Sequence, residues 1–241
     1  MTASCTAGIL CSRRTPNETR KIVALVPMRH DSKRVPGKNY RLMCGKPLYA
    51  HIIETLLSVE EISQVVVDTD SQPVIEGLSR DYPQVKVLLR PEELRADTTP
   101  TNEILIHDTA EVPADLYLQT HSTNPLLKAE TIRRAIDKLR QSYPEYDSLF
   151  GVTRLQTRLW DELGRAVNHN PAVLLRTQDL PPIYEENSCI YLFTRETLIS
   201  KRNRLGERPM MFEIEAREAT DIDVELDFII AETLMTSQNK Q

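Results

Sequence analysis

A loop rich in basic residues follows the first apolar run of the sequence. Arg29, Lys33, Arg34 and Lys38 precede Asn39 in a stretch that ends in Pro-Gly-Lys-Asn. A triphosphate is bound where cationic side chains and backbone N–H groups converge on its oxygens, and a loop at a strand end supplies both. The loop differs from a Walker A loop because no Ser or Thr follows Lys38 and no glycine stands at the required upstream spacing. A solvated basic loop without a ligand is the alternative, but the position after a buried strand favours phosphate binding.

A pair of carboxylates lies close to the other end of the chain. Asp221 and Asp223 are two positions apart in the run Thr-Asp-Ile-Asp-Val-Glu-Leu-Asp that ends at Asp227. In an extended segment both side chains face the same way. Two carboxylates on one side suit Mg2+, which prefers carboxylates together with substrate phosphates. The alternative is that Asp223 caps the N-terminus of a helix that runs through Ala231.

Alternating strands and helices must position these two groups. Short apolar runs predict strands at 22–27, 64–67, 85–89 and 116–119, and amphipathic segments predict helices from Pro47 and around 74–79, 102–108 and 131–139. The alternation predicts an α/β fold with a mostly parallel sheet and helices on both faces. Ligands of such sheets bind beyond the carboxyl ends of the strands. The candidate site therefore comprises the loops at 28–39, 90–101, 119–124 and 220–223.

The alternation is interrupted over residues 148–176. Leu-Gly-Arg at 163–165 predicts a hairpin turn there. Together with residues 202–211, this stretch predicts a small excursion from the sheet, at about 153–176, that contacts another subunit. Trp160, the only tryptophan, lies in the excursion and is expected to anchor an interface or the core.

Composition restricts the classes of protein and partner. The net charge of -5 and the aromatic fraction of 5% oppose nucleic-acid binding, and no apolar run is long enough to cross a membrane. Cys5, Cys11, Cys44 and Cys189 form no CxxC pair, which favours a reducing compartment, so we expect a cytoplasmic protein. Residues 1–20 predict a disordered tail before a single domain at 21–241.

Three motifs in a fixed order resemble those of the acylneuraminate cytidylyltransferase family. They are Arg-x-x-Ser-Lys-x-x-Pro-Gly-Lys-Asn at 29–39, Arg-Pro-Glu-Glu-Leu-Arg-Ala-Asp-Thr at 90–98 and Asp-Ile-Asp-Val-Glu-Leu-Asp at 221–227. With the elements between them they cover about residues 21–235. The resemblance implies a three-layer α/β/α nucleotidyltransferase fold, a homodimer, and transfer of CMP from CTP to a 2-keto-3-deoxy sugar acid.

The resemblance also implies roles for individual residues. Arg29 and Lys38 would bind the triphosphate and, with Asp223, take part in catalysis, and Lys33 would assist them. The remaining implied contacts are Asn39, Arg90, Thr99 and Thr101 for the nucleotide, Asp221 and Asp223 for Mg2+, and Gln119 and Asn187 for the sugar acid.

Two departures from the family pattern fall on the sugar-acid side. The stretch after Gln119 reads Thr-His-Ser-Thr-Asn-Pro, about two residues longer than usual, and Glu185 stands where sialic acid enzymes often have an arginine for the sugar carboxylate. Arg176 or His121 would then hold that carboxylate. The alternatives are a cytidylyltransferase for another keto sugar acid, such as legionaminate, pseudaminate or octulosonate, and a catalytically silent nucleotide-binding homologue.

Overall fold

A seven-stranded sheet contains every predicted strand. In the computed structural model residues 21–30 and 32–238 are described, so the predicted tail at 1–20 lies outside the described residues. The strands are β1 (Ile22–Leu25), β4 (Ile62–Thr69), β5 (Lys86–Leu89), β6 (Leu116–Gln119), β7 (Ser148–Leu155), β8 (Ile183–Phe193) and β9 (Pro209–Glu213), and a separate hairpin pairs β2 (Leu42–Met43) with β3 (Lys46–Pro47). The sheet order is β5-β4-β1-β6-β8-β7-β9. Strand β8 is antiparallel to both of its neighbours, and the other four pairings are parallel.

Helices cover both faces of this sheet, which gives the predicted three layers. They are α1 (Leu48–Leu57), α2 (Gln72–Asp81), α3 (Thr101–Glu111), α4 (Ala129–Ser142), α5 (Arg195–Lys201) and α6 (Glu225–Gln238). Alternate residues of β1 point to opposite faces, as a period of two requires. Ile22 and Ala24 pack in a core with α1, α2 and α4, whereas Val23 and Leu25 pack in a second core with α3 and α5. Each fully buried aliphatic side chain stabilises the sheet by roughly 1.5–3 kcal/mol.

The predicted excursion at 202–211 is wrong for residues 209–211, while 202–208 lie outside the strands. Pro209–Glu213 does not leave the sheet but pairs in parallel with β7 as its edge strand. Met210 and Phe212 are buried while Met211 and Glu213 are exposed. This alternation extends over only five residues and follows a charged stretch, so it was missed as a strand signal.

The excursion begins later than predicted. Strand β7 stays in the sheet through Leu155 and β8 begins at Ile183, so the segment outside the sheet is 156–182, here called the arm. Its hairpin turn lies where the Leu-Gly-Arg run predicted it, with Gly164 at φ +73 and an antiparallel bridge between Trp160 and Ala166. Trp160 is 52% exposed and packs edge-on against His169, so it does not anchor the core of this chain.

None of the helices in residues 21–30 and 32–238 is long and apolar enough to span a membrane.

Candidate functional site

A cavity of about 340 Å3 lies between the loop after β1 and the loop after β6. Its walls include Arg29, Lys33, Arg34 and Lys38 from the first loop, here called the basic loop (29–38), together with His121 from the second. Because β1 and β6 are parallel neighbours, their carboxyl ends meet at one edge of the sheet. The cavity is therefore at the place that the sheet topology predicts for a ligand.

Local geometry fixes the shape of the basic loop. Gly37 adopts φ +66, and a Cβ there would lie 2.9 Å from the ring of Tyr40, so a side chain at this position would meet both strain and a contact. Asn39 is buried, and its amide nitrogen donates to the Arg29 carbonyl at 2.9 Å while its oxygen accepts from Ser122 at 2.6 Å. Asn39 lines the cavity, but the polar atoms of its side chain join the two loops to each other.

Packing brings the carboxylate segment into contact with residues that line the cavity. Val35 of the basic loop and Ile222 are fully buried in one cluster with Phe228 of α6. The Ile222 N–H also donates to the Thr123 carbonyl at 3.1 Å. The apolar residue between the two aspartates therefore anchors the segment, and the two carboxylates are left near the basic loop.

Lys38 lies between the two motifs. Its Nζ donates to the Ile222 carbonyl at 2.6 Å, and the carboxylates of Asp221 and Asp223 are its principal charged neighbours of opposite sign. Burial lowers the pKa of Lys38, and the two carboxylates oppose that shift. The structure thus places the predicted phosphate-binding lysine beside the predicted metal ligands, which are more than 180 residues away in the sequence.

Asp221 and Asp223 fit a hard divalent cation. Asp221 Oδ1 is buried without a hydrogen-bond partner, and burial together with the charge of Asp223 raises the pKa of the Asp221 carboxyl. An added cation would satisfy that oxygen and reduce the repulsion. The capping alternative for Asp223 is not confirmed: its carboxylate binds Arg34 at 2.6 Å, and among the described residues no helix N–H is found to donate to it. It is Asp227 that accepts from the backbone N–H groups of Asp223 and Val224, at 2.9 and 2.8 Å.

The second motif reaches the basic loop through Asp97. Its carboxylate binds Arg29 at 2.9 Å and Lys33 at 2.5 Å, and the contact with Lys33 lowers the pKa of the Asp97 carboxyl. Thr99 and Thr101, at the start of α3, are not among the described residues that line the cavity. Their predicted nucleotide contacts stay predictions.

The guanidinium of Arg90 forms a buried ion pair away from the cavity. Its guanidinium is 4% exposed and is ion-paired with Asp68, at the end of the neighbouring strand β4, so the side chain does not point into the cavity. Asp108 of α3 completes this buried cluster, and Asp68, Asp108 and His107 offer ligand atoms within 4.8 Å of one another. Burial and the Asp68 carboxylate raise the pKa of Asp108 to about 8. Because Arg90 already neutralises Asp68, Asp108 is the member of the pair that holds a proton at neutral pH.

A second set of polar side chains lies behind His121. Gln119 is fully buried, its amide nitrogen lies 2.9 Å from the His121 ring, and its oxygen accepts from Arg204 at 2.6 Å. The Arg204 guanidinium lies 3.5 Å from the centroid of the Tyr191 ring, and the Tyr191 hydroxyl donates to Glu186. These residues, Gln119, His121, Glu186, Tyr191 and Arg204, are here called the Gln119 network.

Asn187 occupies an irregular part of β8 beside this network. Phe150 of β7 opposes Tyr191 and Val152 opposes Glu186, so four residues of β8 bulge between these two pairs. Ser188 within the bulge has φ +57. The Asn187 amide donates to Thr153 at 3.0 Å, and its oxygen accepts from a backbone N–H of the bulge.

The predicted roles of His121 and Arg176 at the sugar carboxylate stay predictions. Burial, with the nearby charges of Arg204 and Lys38, lowers the pKa of His121 to about 3, so its ring is neutral at pH 7. Arg176 lies in the arm, is 74% exposed in its side chain and binds Asp179 at 2.7 Å. Sequence reasoning missed Arg204, because nothing local separates it from Arg202 and Arg208.

Comparisons with known proteins agree with this architecture. The family described as Cytidylyltransferase matches residues 23–240. CMP-N,N'-diacetyllegionaminic acid synthase of Legionella pneumophila is 31% identical over 89% of this chain and 96% of its own length. N-acylneuraminate cytidylyltransferase of Escherichia coli is 26% identical over 92% of this chain and 54% of its own length, so the chain spans about half of that protein.

Solved structures show the same fold at low identity. A CMP:2-keto-3-deoxy-manno-octonic acid synthetase complexed with CTP superposes with a TM-score of 0.69 at 18% identity, over 90% of this chain and 99% of its own. A 4-diphosphocytidyl-2C-methyl-D-erythritol synthase from Anaerococcus prevotii gives a TM-score of 0.64 at 14% identity, over 92% and 98%. Because the family match extends over nearly all described residues and a relative above 30% identity aligns end to end, the chain belongs to the cytidylyltransferase family and is a nucleotidyltransferase.

Proposed function

We propose that this protein transfers CMP from CTP to the anomeric hydroxyl of a 2-keto-3-deoxy sugar acid and releases pyrophosphate. The observation that carries the proposal is the position of Lys38, which lines the cavity with the basic loop and lies beside the carboxylate pair Asp221 and Asp223. A triphosphate with its divalent cation needs both groups together. A catalytically silent binder would have no use for the carboxylate pair, so this juxtaposition favours an enzyme.

The chain's own groups can supply most of what the reaction needs. Phosphoryl and nucleotidyl transfer depend mainly on positioning and on neutralising charge. The cations of the basic loop would bind the triphosphate oxygens, with Lys38 held where negative charge develops. Asp221 and Asp223 would hold Mg2+, which supplies further charge neutralisation when bound. Both arginines that line the cavity are held by single exposed carboxylates, and they can exchange these for phosphate oxygens.

The acceptor that we propose is a legionaminate-like acid rather than N-acetylneuraminate. Two observations support this choice: the 31% identical relative is named as a diacetyllegionaminic acid synthase, and Glu185 stands where an arginine would bind the carboxylate of sialic acid. A second carboxylate at that position repels an acidic substrate unless another cation offsets it.

A homodimer formed through the arm is also part of the proposal. The arm exposes a series of large apolar side chains, of which Leu174 is 90% exposed, and the others include Trp160, Leu163, Val167, Val173 and Leu175. Such a surface on a soluble protein marks an interface. Sedimentation of the purified chain, compared with a variant carrying Trp160→Ser and Leu174→Ser, tests it; a monomer in both would contradict it.

Pyrophosphate release from CTP, measured with a panel of sugar acids, tests the proposed reaction. The panel contains legionaminate, pseudaminate, N-acetylneuraminate and 3-deoxy-octulosonate, and UTP replaces CTP as the nucleotide control. We expect CTP to be preferred and kcat/KM to be highest for legionaminate. The highest value for N-acetylneuraminate would overturn the choice of acceptor, and no release with any acid would leave the silent homologue as the explanation.

A further inference from the structure

We infer that Arg204 binds the carboxylate of the sugar acid and so determines that the acceptor must be an acid. This assignment rests on the proposed function and names a residue of that same site. Three features of Arg204 support it: its position behind His121, its contacts, and the hydrogen bonds that hold its segment.

Arg204 lies behind the wall of the cavity, to which Gln119 and His121 connect it. Its guanidinium donates to Gln119 at 2.6 Å, and the amide of Gln119 contacts the ring of His121 at 2.9 Å. His121 lines the cavity, and the charges of Arg204 and Lys38 both lower the pKa of its ring. The neutral ring of His121 thus separates two cations, Lys38 of the basic loop and Arg204. This spacing suits an acceptor that carries its own negative charge next to the atom that attacks the nucleotide.

Arg204 is not directly ion-paired within the described residues, although the charge of Glu186 acts on it. Among residues 21–30 and 32–238, no carboxylate forms an ion pair with Arg204, and its contacts are the oxygen of an amide and the face of an aromatic ring. Glu186, the nearest acidic group acting on it, is held by the hydroxyl of Tyr191. Burial lowers the pKa of Arg204, but a guanidinium stays charged in proteins. A partly buried guanidinium that is not directly paired with a carboxylate is stabilised when a ligand supplies one.

The segment around Arg204 is rigid enough to position it. Asn102, at the start of α3, accepts from the Arg204 backbone N–H at 3.4 Å and contacts Asn203 at the same distance. Asn203 in turn accepts from the Leu205 N–H at 3.1 Å, and the Gly206 N–H donates to Ser148 at 2.9 Å. Stacking on Tyr191 fixes the plane of the guanidinium. Its remaining N–H groups are then presented in the fork that suits a carboxylate.

The competing groups do not meet these conditions. Glu185 is exposed and carries the wrong charge, the His121 ring is neutral, and Arg176 lies in the exposed arm, away from the residues that line the cavity. Arg204 therefore compensates for the arginine that is absent at position 185.

A cycle that changes both the enzyme and the substrate tests the assignment. Wild type and Arg204→Met are assayed with the best acid of the panel and with its C1 carboxamide, which lacks the negative charge. We expect the acid to be preferred over the amide by on the order of 100-fold in wild type, and this preference to fall to a few-fold in Arg204→Met. The KM for CTP should not change in the variant, and Arg204→Lys should restore part of the preference.

The controls separate this role from a structural one. Arg202→Met, an exposed position two residues away that pairs with Glu103, should keep the full preference. If Arg204 only supports the fold, Arg204→Met lowers activity on the acid and the amide equally, and that result overturns the assignment. Absence of turnover by wild type with every acid would instead overturn the proposed function itself, so the two failures are distinguishable.

Discussion

The cationic side chains of the basic loop and Arg204 of the Gln119 network differ in the groups that contact their charge. Arg29 and Lys33 share Asp97, and Arg34 binds Asp223, all at exposed or half-exposed positions. Exposed ion pairs contribute at most about 1 kcal/mol, so these side chains can leave their partners for a more highly charged ligand. Arg204 is instead partly buried between an amide and a ring. The first arrangement suits a ligand with several charges that enters from solvent, and the second suits one anion in a fixed place.

Asp223→Asn should have the largest effect, because it removes charge where the two motifs meet. The change is nearly isosteric, and Asp227 continues to cap α6, so the thermal unfolding temperature should stay close to that of wild type. Turnover at saturating Mg2+ should fall by more than about 100-fold, since a metal ion contributes several kcal/mol of charge stabilisation. The turnover of Asp221→Asn should fall by a smaller factor.

Glu225→Gln is the matched control for that experiment. Glu225 lies two residues further along, on the solvent side, and its carboxylate binds Arg41. The turnover of Glu225→Gln should equal that of wild type. Near-normal turnover of both Asp221→Asn and Asp223→Asn would return this segment to a structural role.

Lys38→Met tests whether the basic loop acts on the transition state or only on bound CTP. The flexible methionine fills the buried space of the lysine stem but removes the charge that contacts the Ile222 carbonyl. We expect kcat to fall roughly 10–100-fold, with a smaller rise in the KM for CTP. Lys46→Met, at an exposed lysine paired with Glu54, is the control. A rise in KM at constant kcat would show that Lys38 only binds the nucleotide.

Gly151→Ala should affect the sugar-acid side and leave the basic loop intact. A Cβ at this position would lie 2.6 Å from Asn187 Oδ1 and 2.8 Å from Ile214 Cδ1. Overpacking of this kind costs about 1–3 kcal/mol of unfolding free energy, measured by urea denaturation. The KM for the sugar acid should rise while the Kd for CTP stays constant. Adding Asn187→Ala removes one of the two contacts, so the double variant should lose less than the sum of the single changes.

Asp108→Asn should give the smallest effect, which is visible only in the pH dependence of stability. The pKa of Asp108 in the folded protein is about 8, well above its usual value, so the folded state holds a proton that the unfolded state has released. Stability from this group is complete below pH 4 and is lost as pH rises through 8. Between about pH 4 and 8 the stability of wild type should therefore fall as the pH rises, whereas Asp108→Asn, which resembles the protonated acid, should not show this loss. Parallel pH profiles for the two proteins would contradict the buried proton.

Local pattern was sufficient for the first half of the fold. The strands at 22–25, 62–69, 86–89 and 116–119 are continuous apolar runs flanked by amphipathic helices, and each signal lies within about ten residues. Strands β7, β8 and β9 were not predicted. Half of their residues face outward, and β8 carries Glu185, Glu186 and Asn187 at a bulge, so its pattern resembles a loop. Their pairing is non-local, and no periodicity in one segment encodes it.

The sequence by itself determined the charges and spacing of the basic loop and of the carboxylate pair, because charge type and spacing within one short segment are local properties. Only the tertiary structure decided which charged groups are free for a ligand. Arg90 was predicted to contact the nucleotide, yet a buried aspartate 22 residues earlier in the chain holds it. Arg204 is one of several similar arginines in its segment, yet it alone stacks on Tyr191 beside Gln119. The physical reason is that the cost of a charge depends on burial and on its partners, and both are set by residues distant in sequence.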